Sequence, residues 1–224
     1  MPNIESWKKL KAELQEQNVT LIAVSKKKPV ADIQELYDAG ERNFGENYVQ
    51  ELVEKQPQLP NDIHWHYIGH LQTNKVKYIA PFVHLIHAVH SFKLLKEIDK
   101  RAAENNRVID VLLQLHVADE ETKYGLDNAG VMELMEYYKA QEAELQNVRI
   151  CGVMGMATFT DDVAQIGAEF AAIKNTFTII KDTYFMDKDY FTECSMGMTG
   201  DYKLAVEKGS TMVRIGSMIF GARN

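Results

Sequence analysis

Apolar and polar positions along the chain switch repeatedly between two periods. Ile4, Trp7, Leu10 and Leu14 recur at helical spacing, which predicts an amphipathic helix over residues 4–17. Leu21, Ile22, Ala23 and Val24 then run without a polar break, as expected for a strand covered on both faces over 20–25. Pro29 stops it. Ile33, Leu36 and Tyr37 mark the inner face of a helix over 30–39, with Gly40 as its cap. A short strand over 42–46 and a helix over 48–54 follow, and Pro57 and Pro60 bracket a loop. Residues 63–68 alternate as a strand, 72–80 form a short helix, 82–89 a strand and 92–105 a helix. A β-rich run covers 108–117. Val131, Leu134, Met135 and Tyr138 give helical periodicity over 128–145. A strand over 148–156 leads to a helix over 163–181, capped by Asp161 or Asp162. The region 185–194 contains a strand, 201–207 is a short helix, and 211–215 is the last strand.

Strands that alternate with helices in this way pair in parallel through crossover helices. The pattern predicts an α/β fold, a single (β/α)8 TIM-type barrel with an extra N-terminal helix, one domain over residues 1–224. A doubly wound open sheet is the alternative. It is disfavoured because no Gly-x-Gly-x-x-Gly follows the first strand.

Composition narrows the partners. The net charge is -7, from 25 basic and 32 acidic side chains, which argues against nucleic acid and leaves room only for a local basic pocket. No stretch approaches the length of a membrane span, and the start lacks a basic region followed by an apolar run, so the expected location is cytoplasmic. Cys151 and Cys194 lie far apart in apolar stretches and read as buried reduced thiols.

The candidate chemistry sits at strand ends. By alternation Ile22, Val24 and Lys26 share one face of the first strand. An amine there can be desolvated and attack an aldehyde to form a Schiff base; the plainer reading is a solvated basic strand end. In a barrel, phosphates often bind in the loops after strands seven and eight. The segment 194–200 reads as the first of these loops, with Ser195, Gly197 and Thr199 offering hydroxyls and an approachable backbone. Val213-Arg-Ile-Gly-Ser217 ends the eighth strand and adds Arg214, Gly216 and Ser217. Each motif alone also reads as a tight turn.

Together the motifs resemble one family. Ala23-Val-Ser-Lys26 with Lys28-Pro29, Phe44-Gly-Glu-Asn-Tyr-Val-Gln-Glu51, Trp65-His-Tyr-Ile-Gly69 with Leu71-Gln72 and Asn74-Lys75, Ser195-Met-Gly-Met198, and Ser210-Thr-Met-Val-Arg-Ile-Gly216 with Phe220-Gly-Ala-Arg223 are similar to the pyridoxal phosphate homeostasis proteins, in family order. The resemblance implies a barrel like that of alanine racemase, with pyridoxal 5′-phosphate (PLP) on a lysine. It makes Lys26 the Schiff-base lysine and puts Ser195, Gly197, Thr199, Gly216 and Ser217 around the phosphate. Arg214 faces the pyridine nitrogen, Asn47 lies near the ring, and His66 with residues 72–75 lines the rim. Lys27 stands where many members have threonine and His70 where others have proline; alternation turns Lys27 away from the face of Lys26.

An arginine at the pyridine nitrogen disfavours ring protonation and so suits holding the cofactor better than deep carbanion chemistry. A racemase also needs a second acid/base on the opposite face, which alanine-racemase-like enzymes take from a separate C-terminal β domain. This chain stops at Asn224, a few residues past the eighth strand. The expectation is therefore a monomeric protein without robust enzymatic activity, acting in intracellular PLP (vitamin B6) homeostasis and supplying PLP-dependent apoenzymes. A small PLP-dependent racemase or decarboxylase is the alternative, with His66, Tyr67 or Tyr124 as its acid/base. A metal-dependent hydrolase built on His64, His66, His84, His87 and His90 is a weaker third reading, and no metal is expected. The charged loop 119–125 reads as solvated, though its place at a strand end could bring Lys123 or Tyr124 near the pocket, and Met154 reads as core filling that could also touch the cofactor.

Overall fold

The computed structural model describes residues 1–117 and 124–221, so Lys123 and Arg223 lie outside the described residues. Helix α1 (Ile4–Glu16) precedes strand β1 (Thr20–Val24). Then follow α2 (Val30–Asp38), β2 (Asn43–Glu46), α3 (Val49–Lys55), β3 (His64–Tyr67), α4 (Val76–Ile79), β4 (Leu85–Val89), α5 (Phe92–Glu104) and β5 (Ile109–Gln114). The chain continues through α6 (Asn128–Gln141), β6 (Val148–Met154), α7 (Val163–Tyr184), β7 (Glu193–Met198), α8 (Tyr202–Glu207), β8 (Met212–Ile215) and α9 (Ser217–Phe220).

Among the described residues, eight parallel strands close in sequence order, and β8 pairs with β1 through Ile22 opposite Arg214. Closure rules out the open sheet. The long helices begin where the sequence supplies caps: Asn3, Ser91, Asp127 and Asp162 each accept a backbone N–H from the first turn. The core has two compartments. Outward-facing strand residues such as Ala23, Phe44, Ile86, Val111, Val153 and Met196 pack under the helices. Leu85, Leu112, Cys151, Met154 and Met212 form a smaller apolar cluster in the lumen. Each fully buried aliphatic or aromatic side chain contributes about 1.5–3 kcal/mol. Both cysteines are free and buried. Among the described residues no helix is long and apolar enough to cross a membrane.

Several elements differ from the sequence reading. The seventh strand is Glu193–Met198, not a stretch within 185–194, so Ser195 and Gly197 lie in the strand and not in a loop after it. The apolar signal upstream belongs to an aromatic stack: Phe185 lies on Phe191 at 4.6 Å and Phe191 on Phe177 at 5.1 Å. The strand over 82–89 begins only at Leu85, because Val83 N–H still bonds to Ile79 of the preceding helix. The helix over 128–145 ends at Gln141, the one over 163–181 continues to Tyr184, and 72–80 divides into a 3-10 turn and α4. Helix α9 was not expected.

Candidate functional site

Lys26 lies just past β1, in line with Ile22 and Val24 on its lumen side; a Cβ on Gly45, in the adjacent strand, would touch both. Ser25 continues the ladder by donating to Gly45 O at 3.0 Å, and Lys28 N–H closes a turn onto Ser25 O at 3.0 Å. Lys27 occupies the third position of that turn at φ 61°, a place glycine normally takes. Strand alternation therefore stops before Lys27, and the turn sets its direction. Lys26 is half-buried, while Lys27 is exposed. Lys28 donates to Phe220 O at 2.8 Å and so ties the turn to α9.

A buried ionic clamp holds the residues on either side of Lys26. Lys55 Nζ reaches Glu46 Oε1 at 2.7 Å, Glu51 Oε1 at 2.6 Å and Ser25 O at 2.9 Å. The Ser25 hydroxyl donates to Glu46 at 2.7 Å, and Lys27 N–H donates to Glu51 at 2.5 Å. Glu46 is fully buried. Desolvation pushes its carboxyl above the ordinary value, and Lys55 opposes that push.

Arg214 enters the lumen from β8 and is 4% exposed. Its guanidinium donates to Ser195 O at 2.8 Å, Ser195 Oγ at 2.6 Å and Gly155 O at 2.9 Å, all neutral oxygens. Burial lowers its pKa to about 10, which leaves it charged at neutral pH. Behind it, Ser195 Oγ lies 3.1 Å from His87 Nδ1, and His87 Nε2 lies 3.0 Å from His66 Nδ1. Both imidazoles are buried, and desolvation first, then neighbouring positive groups, holds their pKa well below the usual histidine value. His66 thus lies inside the lumen and not at the rim, because alternation along β3 places it two residues below Ile68. Lys75, of the 72–75 segment, lines a surface groove with Val49, Gln50, Val53 and Tyr78.

The ends of β7 and β8 make a narrow cradle. Gly197 has φ 93°, and a Cβ there would come within 2.5 Å of Ala205 Cβ, so only glycine fits. Thr199 Oγ1 accepts from Gly216 N–H at 3.4 Å and joins the two strand ends. Gly216 approaches Val24 of β1, so this cradle and the Lys26 turn are neighbours. Ser217 is exposed at the start of α9. At the end of β2, which pairs with β1, the side-chain oxygen of Asn47 is buried without a hydrogen-bond partner, as is Oε2 of Glu46.

The three acid/base candidates separate. His66 is internal. Tyr67 is buried, its hydroxyl 3.0 Å from both Asn47 O and His70 O, and desolvation raises its pKa to about 12. Tyr124 is exposed and stacks on His70 at 3.9 Å, with His90 4.7 Å from His70. His64 stacks on His84 at 4.3 Å, and among the described residues no group of three or more His, Cys, Asp or Glu is arranged to hold a metal.

Sequence reasoning gave no role here to Ser25, Glu46, Glu51 and Lys55, and read His87 only within the weaker metal alternative. The Glu51–Lys55 spacing was a readable i,i+4 pair. His87 shares strand parity with Leu85, which placed it in the lumen once the barrel was assumed.

Residues 4–224 match the family model described as alanine racemase, N-terminal domain. The pyridoxal phosphate homeostasis protein of Aquifex aeolicus is 39% identical over 204 residues, 91% of this chain and 86% of the relative. Its namesake from Pasteurella multocida is 36% identical over 218 residues, 95% of this chain and 90% of the relative. Among solved structures, PipY of Synechococcus elongatus PCC7942 with PLP bound superposes with a TM-score of 0.86 at 36% identity, covering 97% of this chain and 99% of that one.

Proposed function

This chain belongs to the alanine racemase N-terminal domain family, among the pyridoxal phosphate homeostasis proteins, and from that premise we propose that it holds PLP on Lys26 as a reversible carrier. The residues present fit that cofactor. A half-buried amine and a glycine-walled cradle stand at the ends of neighbouring strands, with a buried cation on β8, and Asn47, just past the strand on the other side of β1, has an oxygen without a partner. When bound, PLP supplies an aldehyde that condenses reversibly with an amine, and a ring that can accept electron density. Lys26 offers the amine. Gly197, Thr199, Gly216 and Ser217 receive the phosphate, with Ser195 beneath them, Arg214 faces the pyridine nitrogen, and Asn47 borders the ring.

One observation carries the reading towards carriage. All the guanidinium donors of Arg214 that are engaged go to neutral oxygens, so its charge is free to act on the ring. A cation there keeps the pyridine nitrogen unprotonated and weakens the ring as an electron sink. The protein accordingly works in the cytoplasm as a monomer, limits free aldehyde and passes PLP to apoenzymes.

Purified protein mixed with PLP should develop a visible absorption band, and Lys26→Ala should remove it. A wild-type protein that stays colourless overturns the reading. The racemase or decarboxylase alternative draws on Tyr124, exposed at the rim against His70. It gains the field if the loaded protein turns over an amino acid at enzyme-like rates of about 1–1000 per second and Tyr124→Phe abolishes that turnover.

A further inference from the structure

Five side chains from five strands form one file of hydrogen bonds through the lumen. Arg214 Nη1 meets Ser195 Oγ at 2.6 Å, Ser195 Oγ meets His87 Nδ1 at 3.1 Å, His87 Nε2 meets His66 Nδ1 at 3.0 Å, and His66 Nε2 meets Asn43 Oδ1 at 3.2 Å. The step from β7 to β4 crosses the barrel between strands that are not paired to each other.

With Oδ1 of Asn43 turned to His66, the two ends select one direction for the bonds. A guanidinium only donates, so Arg214 occupies a lone pair of Ser195 Oγ. A neutral imidazole has one N–H and one acceptor nitrogen. If the Ser195 proton goes to His87 Nδ1, then His87 Nε2–H donates to His66 Nδ1, and His66 Nε2–H donates to Asn43 Oδ1. Every proton then has an acceptor. In the reverse order the Ser195 proton loses its acceptor in this file, and the lone pair of His66 Nε2 opposes that of Asn43 Oδ1. A proton added to either ring leaves the Ser195 proton without an acceptor in this file and puts a second charge in a buried site that already holds a guanidinium.

We propose that His87, backed by His66 and Asn43, is a positioning residue for Arg214. It commits the Ser195 hydroxyl proton to the lumen, so that the oxygen accepts from Arg214 and has no proton left for a phosphate. Ser195 thus serves the cation, while the phosphate is left to the Gly197–Thr199 and Gly216–Ser217 ends. This assignment rests on the PLP reading for what Arg214 faces and for where the phosphate goes.

The file itself is tested without cofactor. Long-range proton–nitrogen correlation spectra of the unloaded protein at pH 7.5 should show both His66 and His87 as neutral Nε2–H tautomers. A Nδ1–H tautomer at His87 overturns the proposal whatever the protein binds. The positioning role is tested by affinity. His87→Leu should weaken PLP binding about tenfold, and His87→Gln, whose amide can accept from Ser195 and donate to His66, should restore it to within about threefold. Ser195→Ala should lower the affinities for PLP and for pyridoxal, which lacks the phosphate, by the same factor. A loss confined to PLP makes Ser195 a phosphate ligand and overturns the assignment. Wild-type affinity in His87→Leu does the same to the positioning role. A wild-type protein that binds neither probe counts against the PLP reading, while the tautomers still decide the file.

Discussion

Lys26 and Arg214 stand on adjacent strands, and opposite means hold them in place. Around Lys26 the fixing groups are ionic. Glu46, Lys55 and Glu51 grip Ser25 and Lys27, the flanking residues, and so set the turn. Around Arg214 they are neutral, with Ser195, His87, His66 and Asn43 in one chain and backbone carbonyls completing the seat. The lysine can be positioned through its neighbours because it sits in a turn with backbone to hold. The arginine projects from within β8 into the lumen, so it is held by groups that meet its guanidinium directly, Ser195 of the paired strand β7 and the Gly155 carbonyl. A neutral seat also leaves its charge available to whatever occupies the pocket, whereas a carboxylate would cancel it.

The contrast breaks most sharply at Lys55. Lys55→Met leaves Glu46 buried without its cation and should cost about 3–5 kcal/mol, read from a urea midpoint. Because burial already raises the Glu46 pKa, that carboxyl can escape by taking a proton. The cost should therefore shrink as pH falls towards the ordinary carboxylate value of 4.5. The double variant Glu46→Gln/Lys55→Met should recover much of the loss. No recovery would mean that the clamp is not the source of the effect.

Acid should act in the opposite direction on the neutral seat. His66 and His87 are held below the ordinary value of 6.5 in the folded protein, so the unfolded chain binds more protons in the window below it. Their stabilising contribution is complete above that value and is lost as pH falls through the window, at up to about 1.4 kcal/mol per pH unit for each ring. Urea midpoints between pH 7.5 and 5.5 should fall in the wild type and fall less in His87→Gln. Equal slopes would show that His87 titrates freely.

The smallest effect is a gain. Lys27→Gly relieves a left-handed backbone and should stabilise by a few tenths to about 1 kcal/mol, since the anchoring N–H to Glu51 is kept. A loss would mean that the Lys27 side chain carries a contact.

Periodicity and uninterrupted apolar runs were enough, from the sequence alone, to determine the order of helices and strands, the barrel and the place of Lys26. A strand buried on both faces must be apolar, and a lysine at its end is conspicuous. The motifs gave the two strand ends that form the glycine-walled cradle. Ser-Met-Gly-Met, however, has too little β-propensity to read as a strand, and the Phe185–Phe191 stack supplied a false apolar signal just before it. What only the tertiary structure decided is which polar groups meet. Glu46 finds Lys55 and Ser25 finds Glu46 because β1, β2 and α3 converge at one end of the barrel. Ser195 finds His87 across 108 positions of sequence because closing the sheet brings β4 opposite β7. Burial makes residues visible in a sequence pattern. A hydrogen bond depends on a distance between atoms, and only the closed barrel sets that distance.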